Sequence, residues 1–275
     1  MYKRQTQPRY KSSNNIAYYR EGSGVSLLFI HGVGLRLESW NAQLKYLKHH
    51  FDVIAIDLPG HGESDHQTSS NKNIDSYTRM IKSFADEIIQ KKFIITGHSL
   101  GALIAIDYAI KYKNDCNGIV ALNCVFQRSD GAMKALKKRL NNIAYVNHNK
   151  EIDATTKRWF GDNNSEYGEL ADHCHRWLSN CNLDGYRAAY EVFASQKGAP
   201  NELLINNTLP ILFVTGRFDR NSTPCMSQQM NELSKNGIVI IVEDAGHLAQ
   251  MTHSNEVNNA IKSLVLKIDN GEIDK

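Results

Sequence analysis

The chain has 275 residues, 41% of them hydrophobic and 22% charged, with a formal net charge of +3. Size scaling buries about 73% of the unfolded surface of such a chain, enough for a large core without staples, and the composition excludes disordered, collagen-like and disulfide-scaffold classes. The cations are dispersed, the densest run being 134–139, so no nucleic-acid partner is expected, and the five scattered cysteines suit reduced thiols better than a disulfide framework.

Residues 1–20 lack the apolar stretch of a secretory signal. The most apolar window, 93–110, is interrupted by Gly97, His98, Ser99 and Asp107, so it does not read as a membrane span. A cytoplasmic protein without a membrane partner is expected. In chain order, 16–20 followed by Glu21-Gly22-Ser23-Gly24 reads as an antiparallel hairpin feeding a first central strand at 25–30. Further strands are predicted at 52–57, 93–96, 118–123, 211–215 and 238–242, near-continuous apolar runs of the kind that helices cover on both faces. Between them, Ile74, Tyr77, Ile81, Phe84 and Ile88 mark one helical face, and 100–111 and 257–266 also read as helices. The alternation stops over 126–206, which has no strand-like run and reads as several short helices. The expected class is α/β, a mostly parallel sheet flanked by helices, with 1–125 and 207–275 as its core and 126–206 as a helical cap.

Chemistry concentrates at Gly97-His98-Ser99-Leu100-Gly101, between a predicted strand and a predicted helix. A serine hydroxyl projected from so tight a strand-to-helix turn leaves no room for side chains two residues before and after, hence the glycines. The helix start offers unpaired N–H groups to an oxyanion near Ser99. A serine needs a base, and the base a carboxylate to fix its tautomer. His247 follows the last strand and Asp219 follows the one before it, both beyond strand C-terminal ends, where α/β sheets place ligands. His31-Gly32-Val33-Gly34 follows the first central strand, so the Val33 and Leu100 N–H groups are the expected oxyanion donors.

Competing residues receive other assignments. His98 is turned away by the elbow, and His31 and His61 are expected to bond loop backbone. Glu243 and Asp244 end the same strand as His247, whereas an orienting acid is better supplied by a neighbouring one. Asn123 ends the fourth strand, where some related folds carry the acid, but an amide cannot be the anion. Asp172-His173-Cys174-His175 lacks a second pair at zinc-site spacing, so no metal is expected. Lys134, Lys137, Lys138 and Arg139 read as a solvated basic face. Arg158, Trp159 and Arg187 are candidate substrate contacts, since arginine clamps carboxylates bidentately.

Taken together, His31-Gly32, Asp57-Leu58-Pro59-Gly60-His61-Gly62-Glu63-Ser64, the serine pentapeptide, Gly216 with Asp219 and Pro224, and Ala245-Gly246-His247 resemble the α/β-hydrolase superfamily over residues 15–268. Arg158-Trp159-Phe160, Trp177-Leu178 and Asp184-Gly185-Tyr186 are similar to the cap of 3-oxoadipate enol-lactonases. The resemblance implies a cofactor-independent hydrolase of a small carboxylic ester or lactone. The same triad leaves open carbon–carbon bond hydrolysis of a vinylogous diketone, perhydrolysis, or a non-catalytic small-molecule receptor. The oligomeric state is not legible.

Overall fold

The computed structural model describes residues 7–66, 73–143, 148–160, 167–273. Its sheet joins β1 (Tyr10–Lys11), β2 (Ala17–Glu21), β3 (Ser26–Ile30), β4 (Asp52–Ile56), β5 (Phe93–His98), β6 (Cys116–Leu122), β7 (Ile211–Gly216) and β8 (Gly237–Val242) in the order β1-β2-β4-β3-β5-β6-β7-β8. β3 to β8 run parallel, while β1 and β2 pair antiparallel at one edge. The hairpin expected at 16–24 is not formed between β2 and β3: β2 pairs with β4, which lies between them. The cause is that β3 is buried along its whole length and takes parallel partners on both sides, leaving β2 to cap the far edge of β4.

Successive side chains of each central strand feed two cores, as the pleat requires. Leu27, Phe29, Val53 and Ala55 pack beneath α1 (Asn41–Leu47) and the C-terminal helix, whereas Leu28, Ile30, Ile54 and Ile56 face the helices of the opposite side. On that side lies α2 (Ile74–Phe84), started by a reciprocal cap between Asn73 and Ser76, with Tyr77, Ile81 and Phe84 buried as the periodicity predicts. Next to it, α3 (Leu100–Lys111) follows β5 directly and is apolar on nearly all sides, as befits a helix covered by sheet and neighbours.

Between β6 and β7 come α4 (Asp130–Asn142), α5 (His148–Phe160), α6 (Gly168–Ser179), α7 (Leu183–Ser195) and α8 (Asn201–Asn206), where the strand pattern lapses. These are the cap helices. They are seated on the core by backbone: a Cβ on Gly60, in the turn after Pro59, would lie 2.5 Å from the Gly185 Cα, and one on Gly185 would lie 2.5 Å from the Gly60 Cα. After β7 come α9 (Pro224–Leu233), α10 (Ala249–Thr252) and α11 (Ser254–Asp269). Arg128, 6% exposed, secures the cap's exit: its Nη1 donates to the Phe193 and Gln196 carbonyls at 2.9 and 2.8 Å, meeting the negative end of α7. No described helix is long and apolar enough to cross a membrane.

Candidate active site

Ser99 stands between β5 and α3 with φ 55° and ψ −112°, a backbone conformation that a non-glycine residue holds only under tertiary constraint. The constraint is contact on both sides. A Cβ on Gly97 would lie 2.0 Å from the Gly101 carbonyl oxygen, and one on Gly101 would lie 2.2 Å from that of Ile30. Glycine at both positions lets β5, β3 and α3 converge under the serine.

Asp219 and His247 meet as their loops allow. The loop after β7 folds back through Thr215 Oγ1 donating to the Ser222 carbonyl (2.7 Å), while the Asn221 and Ser222 amides donate to Asp219 Oδ1 at 2.8 and 3.1 Å. Oδ2 accepts from His247 Nδ1 at 2.8 Å and from Asn123 Nδ2 at 2.8 Å. These donors and the imidazole hold the Asp219 carboxyl below the usual carboxylate range even though burial works against its ionisation. Glu243 is instead exposed and paired with Arg217, which removes it as a competitor for the imidazole.

Three other histidines, His31, His61 and His98, are bonded to backbone. His98 donates from Nε2 to the His247 carbonyl at 2.8 Å, and burial, with His247 beside it, pushes its imidazole down to about 3, so it stays neutral. Burial likewise lowers His31 and His61. Leu58 N–H donates to His31 Nε2 at 2.9 Å and Gly34 N–H to His61 Nε2 at 3.2 Å. His173 and His175 go separate ways, one against Trp177 and the other bonded to Asp153.

Ser99 and His247 face one cavity of about 60 Å³, whose wall also includes Val33 and, from the cap, Arg139, Arg158 and Trp159. Trp159 lies nearly parallel to the His247 ring, with centroids 6.5 Å apart. Leu100 opens α3, so its N–H is one of the first-turn donors without an intrahelical acceptor. An alpha/beta hydrolase fold family model matches residues 25–254. The chain belongs to the α/β-hydrolase fold family.

Relatives of this α/β-hydrolase include the (E)-2-((N-methylformamido)methylene)succinate hydrolase of Acinetobacter baylyi, 31% identical over 92% of this chain and 95% of that one. Among solved structures it resembles a malate-bound thermophilic esterase from Thermogutta terrifontis (TM-score 0.86, 22% identity, 95% and 99% of the two chains). It also resembles the enol-lactonase from Burkholderia xenovorans LB400 (TM-score 0.85, 17% identity, 94% and 100%).

Two arginines of the hydrolase lie differently from expectation. Arg187 is exposed on α7 and is not part of the cavity wall. Arg139, read from the sequence as part of a solvated face, turns inward with a side chain 14% exposed, while Lys134, Lys137 and Lys138 stay outside. Its spacing from Leu136, Leu140 and Ile143 places it on the packed face of α4, the signal that could have found it. Arg139 bonds Thr155, lies 3.3 Å from Glu151, and sits 5.4 Å over the Tyr190 ring. A wider cleft of about 1,190 Å³ opens between α6 and the 34–45 segment, but neither Ser99 nor His247 lines it.

Proposed function

We propose that the protein is a serine hydrolase cleaving a small, carboxylate-bearing ester or lactone through an acyl-enzyme on Ser99. Neutral His247 takes the Ser99 proton as the hydroxyl attacks the carbonyl carbon, and Asp219 orients and stabilises the imidazolium that results. The Val33 and Leu100 N–H groups receive the oxyanion. The imidazolium then protonates the leaving oxygen, and water, deprotonated by His247, releases the acid and restores Ser99. No cofactor enters these steps. The observation that carries the reading is the Asp219–His247 hydrogen bond of 2.8 Å in a pair that faces the same cavity as the strained Ser99.

The carboxylate preference rests on Arg139 and Arg158 in that wall. A relative named for a methylene-succinate, itself a dicarboxylate, supports it. About 60 Å³ is the room of two waters, so the cap side chains lining the cavity would have to shift for such a substrate to enter. An organophosphonate probe is expected to label Ser99 alone, and Ser99→Ala to lower kcat by as much as about 10⁶-fold. Labelling of another serine, or an active Ser99→Ala protein, would refute the assignment.

A further inference from the structure

The steps above leave several buried charges unused, and the Arg9 guanidinium is one of them. Arg9, ahead of β1, has a side chain only 3% exposed. Its Nε donates to Asp57 Oδ2 at 2.8 Å, its Nη2 to Glu38 Oε2 at 2.6 Å and its Nη1 to the Gln7 carbonyl at 3.1 Å. Burying a guanidinium is costly, and anchoring a two-residue edge strand does not call for it. Its two hydrogen-bonded carboxylates, with the Glu63 carboxylate 3.7 Å from Nη1, suggest another purpose.

Asp57 joins two loops. Its Oδ1 accepts from the Leu37 amide at 2.8 Å and its Oδ2 from the Glu63 amide at 2.9 Å, while its carbonyl accepts from Ser64 Oγ at 2.6 Å. Glu38, in the first of these loops, also accepts from Arg36 Nε at 2.7 Å. The His31–Leu58 and Gly34–His61 bonds tie the same loops together again. Val33 lies within the span these ties enclose, next to Ser99 in the cavity wall. Without Arg9, the buried Asp57 and Glu38 carboxylates would face each other, Arg36 on Glu38 being the remaining ion-pair partner among the described residues. They would then have to take up water or a proton, and either response moves the Leu37 amide and the turn before it.

We propose that Arg9 is a positioning residue for the oxyanion hole, a charged latch from the N-terminal segment that holds the 32–38 loop, and with it the Val33 N–H, in register with Ser99. This rests on the serine-hydrolase reading for its kinetic consequence, but not for its structural one. An oxyanion donor works only within about 2.7–3.1 Å of the developing charge, so a small displacement of the loop is felt in the transition state and little in the ground state.

The test is Arg9→Met in the full chain, assayed well below its unfolding midpoint. Hydrogen exchange of the Gly34 and Leu37 amides should accelerate at least tenfold relative to those of β5. With an aryl ester, kcat per phosphonate-titrated site should fall about 10- to 100-fold while KM stays within threefold. Affinity for an aryl boronic acid, which mimics the tetrahedral adduct, should weaken by the same factor as kcat. Arg9→Lys, which keeps the charge but reaches one carboxylate, should fall between the two. Unchanged exchange over 32–38, or unchanged kcat per titrated site with only a lowered unfolding midpoint, would overturn the proposal. An active Ser99→Ala protein would instead overturn the reading of the site, and the exchange measurement would still decide whether Arg9 holds the loop.

Discussion

Replacing Asn123 by Asp tests whether the Asp219 carboxylate is ionised and whether the amide beside it acts as a donor. Asn123 Nδ2 lies 2.8 Å from Asp219 Oδ2. The backbone at 123 has φ 49°, a region that aspartate tolerates as asparagine does, so the exchange adds no backbone strain. Two carboxylates at that 2.8 Å separation would repel by about 6 kcal/mol at an effective dielectric constant of 20, which raises the second ionisation by as much as about four pH units. Near pH 7 the pair therefore keeps one proton, shared as the asparagine hydrogen was. The sign follows from proton counting. The unfolded variant has lost that proton above about pH 4 and the native one retains it, so stability relative to the parent should fall as pH rises, by about 1.4 kcal/mol per unit between pH 5 and 7. Urea unfolding of both proteins at pH 5, 6 and 7 measures it. A difference that does not change with pH would refute the assignment of an ionised Asp219 held by a neutral donor.

Arg139→Met should raise KM for a carboxylated substrate about 10- to 100-fold, or about 1.4–2.7 kcal/mol, with little change for its neutral analogue. Initial rates on the matched pair check this, and exposed Arg187→Met serves as the silent control. The parent protein should show the opposite pH trend from Asn123→Asp. Burial keeps His98 neutral down to about pH 3, and His31 and His61 are lowered in the same way, while the unfolded chain takes up these protons near pH 6.5. Stability should therefore decline from pH 6.5 towards 5 by up to about 1.4 kcal/mol per unit for each such histidine, read as a falling urea midpoint. A midpoint constant over that range would contradict their burial as neutral groups.

Strands rich in apolar residues announce themselves as runs, and β3 to β8, including the half-buried edge strand β8, begin and end within about two residues of where the sequence places them. Their neighbours do not. Nothing local distinguishes β2 pairing with β3 from β2 pairing with β4, because that choice is made by which edges the parallel strands leave free. The elbow at 97–101 is legible as a short pattern between a strand and a helix, although only Gly97 answers a contact within it and Gly101 answers the Ile30 carbonyl of β3. The inward turn of Arg139 is visible only as a helical face shared with Leu136, and competes with three adjacent lysines for the same charge. Arg9 gives no sequence signal, since its partners lie 29 and 48 residues away.

The contact between Gly60 and Gly185 bears on how such a molecule diversifies. Backbone against backbone has no rotamers, so the seam cannot adjust by degrees: α7 and the turn after Pro59 are either seated or apart. Changes in α4 or α5 that enlarge or reshape the chamber above Ser99 need not disturb it. A side chain at either glycine, by contrast, would displace the other segment however well the rest of the cap still fitted. Substrate range can therefore drift along one half of the cap while the other half, sharing no reacting group with the chemistry, is held to a pair of residues that must remain small together.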